Sequence, residues 1–205
     1  MSRRAAIVPA CTAGVVLALA SGATVWSAWP LRGPLGEEFG WSNVALAVAA
    51  AFSLAVTGVA LPSSGRLACR FGVRATATAG CLLAGLIVLL ALPNLTHLWQ
   101  LAASLALLGL PRAWVLAGGW QLFRSALRGA SALLAVAAAL LTGLAGVTPW
   151  ISEIVYRNSW REGAAACAGL LLLIATPIAY VLLPGKQLAS DGPPAATGEP
   201  SQRAD

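Results

Sequence analysis

Six stretches of this chain are each apolar and close to the length needed to cross the hydrocarbon core of a bilayer. They lie at about residues 5–29, 43–61, 75–92, 97–123, 130–151 and 164–183. Roughly 20 consecutive apolar residues suffice for one helical crossing. Only 10% of the 205 residues are charged and 59% are hydrophobic, whereas a soluble domain carries about 25% charged residues. With a mean hydropathy of +0.80, water would not solvate this chain as a monomeric globule. The expected fold is therefore all-α, a polytopic membrane protein with six transmembrane helices.

The breaks between the runs fit that reading. Pro30, Gly33, Pro34 and Gly36 end the first run, and Trp26 and Trp29 sit near its far end, where indole rings favour the membrane interface. Arg3, Arg4 and the small residues Ala18-Leu19-Ala20 would also suit a signal peptide. The apolar run continues well past that point and further spans follow, which favours an uncleaved first helix. Ser42 is a good N-cap for the second run. The stretch Leu61–Arg74, LPSSGRLACRFGVR, reads as a short basic hairpin between the second and third runs. Pro93-Asn94 ends the third, Arg124 and Arg128 follow the fourth, and Ser152–Gly163 reads as a mixed-charge turn before the sixth. Residues 1–184 thus form one six-helix domain. Residues 185–205, rich in Gly, Pro, Ser and charge, form an expected disordered cytoplasmic tail, since they hold too little apolar surface to order themselves.

The net charge of +6 would point to nucleic acid in a soluble protein. Here the basic residues lie between apolar runs and set topology instead. If six helices alternate, Arg3, Arg4, Arg66, Arg70, Arg74, Arg124, Arg128 and Lys186 fall on one side. Arg32, Arg157 and Arg161 fall on the other, with Glu37, Glu38, Glu153 and Glu162. The positive-inside rule then places both termini in the cytoplasm, with the plasma (inner) membrane as the expected location.

The hairpin carries a resemblance. Gly65, Leu67, Arg70, Gly72 and Arg74 match the signature loop G-x-L-x-D-R-x-G-x-R of the major facilitator superfamily, between its second and third membrane helices. The family's Asp position is Cys69. The segment EEFGWS before the second helix is similar to its counterpart in monocarboxylate-transporter-like members. Leu127-Arg128-Gly129 resembles their basic fourth loop, and Asn158-Ser159-Trp160-Arg161 resembles the Y-G-W-R start of their sixth helix. The resemblance implies half of a major-facilitator fold: the family has twelve helices in two six-helix halves, with substrate held between the halves near the midplane. Its Asp helps to latch the halves together, and Cys69 lacks that charge.

Among residues that could carry chemistry, Arg112 is foremost. It lies well inside the fourth run, where a charge is costly and usually faces a cavity or a partner. A guanidinium suits the carboxylate of an anionic substrate, through bidentate hydrogen bonds; the alternative is a structural pairing or snorkelling near Pro111. Gln100, Gln121, Thr148 and Tyr180 could line a pathway or bond between helices. Glu153 and Glu162 belong to the outer turn, and His97 sits at the outer interface beside Trp99.

With a single His and with Cys11, Cys69, Cys81 and Cys167 widely scattered, no metal site, cofactor or triad is expected, and the chain does not read as an enzyme. Two readings remain. One is a truncated or half-size carrier for a small solute, such as an organic anion, needing self-association or a second six-helix half. The other is a non-transporting remnant or accessory membrane protein acting through helix packing. Its partners are the lipid bilayer and, on the first reading, a small-molecule substrate, with no nucleic acid.

Overall fold

The computed structural model describes residues 10–20, 32–127 and 130–185. The outer parts of the first expected helix with Trp26 and Trp29, the Arg128-Gly129 pair, and the tail from Lys186 lie outside the described residues. Those described are helical and contain no strand. The helices are α1 (Ala10–Ala20), α2 (Arg32–Phe39), α3 (Asn43–Phe71), α4 (Val73–Ala91), α5 (Leu98–Ala126) and α6 (Ala130–Arg157). The last span comprises α7 (Trp160–Gly169), a π-helical segment Leu170–Ala175, and α8 (Thr176–Leu182). Five of these spans are long and apolar enough to cross a membrane: 43–71, 73–94, 98–124, 131–157 and 160–182. The first described helix, α1, is apolar but shorter.

Ser42 caps α3 as expected, its hydroxyl accepting from the Ala45 N–H at 3.2 Å. The helix does not end at Leu61, however. It runs on through Pro62 to Phe71, so the expected hairpin shrinks to one residue, Gly72. A proline costs a soluble helix one backbone bond, but a membrane helix tolerates it where nearby groups support the turn. The carbonyl left without its N–H is that of Gly58, four residues back; in the next turn the Ser63 and Ser64 hydroxyls donate to the Ala60 carbonyl, at 2.8 and 2.6 Å. Gly72 breaks the helix with φ +90°, a region that side-chain-bearing residues rarely adopt. Its N–H bonds the Ala68 carbonyl, and its own carbonyl accepts from the Thr76 N–H and hydroxyl.

The mixed-charge turn also shortens. Ser152–Arg157 completes α6, leaving Asn158 and Ser159 as the turn, and Ser159 caps α7 through the Glu162 N–H. The π-helical stretch precedes Pro177, which has no N–H and whose ring crowds the carbonyl four residues back in an α-helix. The wider turn relieves that clash, and the Thr176 N–H and hydroxyl both donate to the Leu171 carbonyl.

Helix α5 is the centre of the bundle. Of its most apolar stretch 56% is buried, against 11% for that of α6. It packs on α3 and α4, touches α6, and runs antiparallel to α1, with Phe123 beside Gly14 and Leu17 beside Gly119. Lipid is as apolar as leucine, so close backbone approach supplies the attraction between helices. A Cβ on Gly109 would stand 2.6 Å from the Ser53 carbonyl and 2.8 Å from the Val56 Cβ. One on Gly80 would stand 2.9 Å from the Pro111 carbonyl. The Thr57 hydroxyl adds polar attachment, donating to Ser53 O at 2.7 Å with Gly109 O at 3.1 Å.

This packing makes a testable distinction between glycines. Gly109→Leu should overpack the α3–α5 contact and destabilise the protein by about 1–3 kcal/mol. Gly146→Leu, where nothing lies within 4 Å of an added Cβ, should be close to neutral. Thermal unfolding of the detergent-solubilised protein measures both, and equal melting of the two variants would contradict the contact.

Candidate functional site

Residue 112 is midway between the ends of α5, at 98 and 126. At 1.5 Å per residue its backbone lies about 21 Å from either end. This is deeper than the fourth run alone implies, because the helix extends beyond that run. Arg112 opens onto a narrow cleft lined by Leu17 and Ala20 of α1, Ala84 of α4, Val115 and Leu116 of α5, and Leu140 of α6. The cleft has room for about one water. Every lining side chain except Arg112 is apolar, and the Arg112 Nε is buried without a hydrogen-bond partner. A buried polar group in that state is costly, and the cleft beside it exposes almost entirely apolar surface. The sequence marked Arg112 by charge and depth. It gave no signal for Leu17, Ala20 or Leu140, since apolar residues facing a cleft look like those facing lipid.

The two ends of the bundle differ in chemistry. At one end, the Gln121 amide donates to the Gly65 carbonyl at 3.1 Å and reaches the Cys69 Sγ at 3.3 Å, joining α3 to α5. The Arg74 Nε donates to the Leu183 carbonyl at 2.6 Å, joining the start of α4 to the end of the last span. Gly72 shapes the turn, while Leu67 is half-buried and Arg70 exposed with its guanidinium 5.4 Å from the Phe71 ring centroid. Nothing lies within 4 Å of a Cβ added at Gly65, so its role at this contact is carried by its carbonyl.

At the other end, the segments EEFGWS and NSWR meet. Glu38 accepts from the Trp160 indole and from both Arg161 guanidinium nitrogens, the shorter at 2.7 Å. Phe39 stacks on Trp41 at 4.5 Å and meets Trp160 edge-on at 6.3 Å, and Arg161 lies 4.5 Å from the Trp160 ring centroid. This clamp holds the chain before α3 against the start of α7. Glu153 pairs with Arg157 on the exposed surface of α6, where such a pair contributes little.

The sequence matches the Major Facilitator Superfamily over residues 12–205. The chain belongs to this superfamily. Its members are membrane transporters, which makes this an integral membrane protein of a transport family rather than an enzyme. No curated protein matches the chain. Within this major facilitator protein, Gln121 bonds between helices, whereas Gln100 serves its own helix start by accepting from the Thr96 and His97 N–H groups. Tyr180 is exposed, and the Thr148 hydroxyl is buried without a partner. No cluster of His, Cys, Asp and Glu suited to a metal occurs among the described residues.

The clamp has a pH signature. Hydrogen bonds from Trp160 and then Arg161 hold the Glu38 carboxyl below its ordinary value of 4.5. A lowered folded-state value means the stabilisation is complete above 4.5 and is lost as pH falls through the folded value. The melting-temperature difference between wild type and Glu38→Gln should therefore be constant at neutral pH and shrink as pH falls below 4.5. A difference that does not vary with pH would contradict the charged clamp.

Proposed function

We propose that residues 1–184 form one six-helix half of a monocarboxylate-transporter-like carrier, and that it moves a small organic anion opposite a complementary half. Arg112 supplies the attracting charge. The observation that carries this reading is the position of Arg112: a guanidinium at the midpoint of the central helix, in an apolar cleft, with a buried and unpartnered Nε. A carboxylate entering the cleft would accept from it in a forked pair. The remaining finer points follow from charge. The arginines near the Gly72 turn and the end of α5 favour the cytoplasm, so both termini and the residues after 184 lie on the cytoplasmic side of the plasma (inner) membrane.

Orientation is tested with reporter fusions. Fusions within Arg66–Arg74 and after Lys186 should report cytoplasm and a fusion near Arg157 the outside; a cytoplasmic signal at Arg157 would sink the six-helix arrangement. The role of Arg112 is tested by measuring abundance and uptake together. Arg112→Lys keeps the charge but loses the planar fork, so uptake of small carboxylates should fall while insertion survives. Arg112→Leu removes a membrane-insertion cost of at least ~2.5 kcal/mol, so protein should accumulate at least as well while uptake is abolished. Normal uptake by Arg112→Leu would remove this residue from any substrate site. Reduced abundance of that variant would assign Arg112 to a structural pairing instead.

A further inference from the structure

We infer that Arg66, Arg70 and Arg124 form a docking surface for the headgroups of anionic phospholipids. Both α3 and α5 have 29 residues, about 43 Å at 1.5 Å per residue. The hydrocarbon core is about 30 Å thick and the bilayer with its headgroups about 40–45 Å. These two helices therefore overshoot the hydrocarbon and end within the headgroup layer. Arg66 and Arg70 occupy the last two turns of α3, four residues apart and so on one face. Arg124 occupies the last turn of α5.

The two helix ends are held side by side. Gln121, three residues before Arg124, bonds the carbonyl of Gly65 and the Sγ of Cys69, each next in sequence to an arginine of the trio. All three arginines are exposed, and none pairs with a carboxylate among the described residues. The contrast with the opposite end is direct: there Arg157 faces Glu153 and Arg161 faces Glu38. Phe71, the last residue of α3 and 56% exposed, lies with its ring centroid 5.4 Å from the Arg70 guanidinium and so adds an exposed aromatic face at the same headgroup level. Guanidinium forks match phosphate oxygens bidentately. Arg66 and Arg124 lie outside the matched signature positions, so the trio is not accounted for by that motif. Cys69 leaves the surface without the negative charge that an Asp there would supply.

The test uses the purified full chain in detergent containing equal phosphatidylglycerol and phosphatidylcholine, with retained lipids quantified by native mass spectrometry. Wild type should retain phosphatidylglycerol in clear excess, each arginine contributing roughly fivefold in binding. The triple variant Arg66→Gln, Arg70→Gln, Arg124→Gln should fall to the bulk ratio, while Arg157→Gln retains the excess. High salt should collapse the wild-type excess, a measurement independent of whether the triple variant folds. Absence of enrichment in wild type, enrichment that persists in high salt, or an equal loss in Arg157→Gln would overturn the proposal.

Discussion

The hydrocarbon core admits apolar side chains and rejects charge, and the distribution of residues along every helix follows from that restriction. Spans of 28 and 29 residues in α3, α5 and α6 exceed what the core requires, so their ends carry what the core refuses. At one end these are Arg66, Arg70 and Arg124, with Arg74 beside them at the start of α4. At the other it is the Glu153–Arg157 pair of α6, beside the clamp of Glu38 from α2 with Trp160 and Arg161 from α7. Glu37, Glu38, Glu153 and Glu162, the acidic residues described, all stand at that second end, so a charge asymmetry legible in the sequence becomes a physical polarity of the bundle.

Within the core, the absence of a hydrophobic drive between helices shifts the burden to backbone proximity. Helix α5 bears it through Gly109 against α3 and, by receiving Gly80 of α4 against its Pro111 carbonyl, through a partner's glycine as well. Gly85 of α4 does the same for the last span, where an added Cβ would lie 2.6 Å from the Leu172 Cγ. The result is a bundle whose centre is close-packed while α6 remains largely open to its surroundings.

How much of this was legible in the sequence depends on which force decided each feature. Spans set by bulk hydropathy were readable: the five long helices fall on the apolar runs, and Ser42 caps where its side chain predicts. Boundaries were less so. Proline and charge mark helix ends in water, yet α3 passes through Pro62 and α6 through Pro149 to finish at Arg157. In both cases the helix loses one backbone bond at the proline and keeps the rest, whereas ending there would leave more backbone groups unpaired. The tertiary pairs were invisible. Nothing in the spacing of EEFGWS and NSWREG links Glu38 to Trp160, and nothing in the local sequence tells that Gly65 would offer its carbonyl to Gln121 rather than a surface for close approach.

Arg112 is the exception to the rule that ordered the rest, and the structure narrows what it can be doing. Snorkelling relieves a charge near a helix end, but residue 112 is about 21 Å from both ends of its helix. Sliding α5 to bring it nearer an interface would drive Gly109 out of its seat against the Ser53 carbonyl and Pro111 away from Gly80. Those contacts are close-packed and belong to two different neighbouring helices. Retreat into the surrounding protein is no better, since Leu17, Ala84, Val115, Leu116 and Leu140 offer no acceptor. So fixed, the Arg112 Nε is left buried without a partner among the described residues. The same packing that stabilises the bundle is what holds this one charge where lipid alone would expel it.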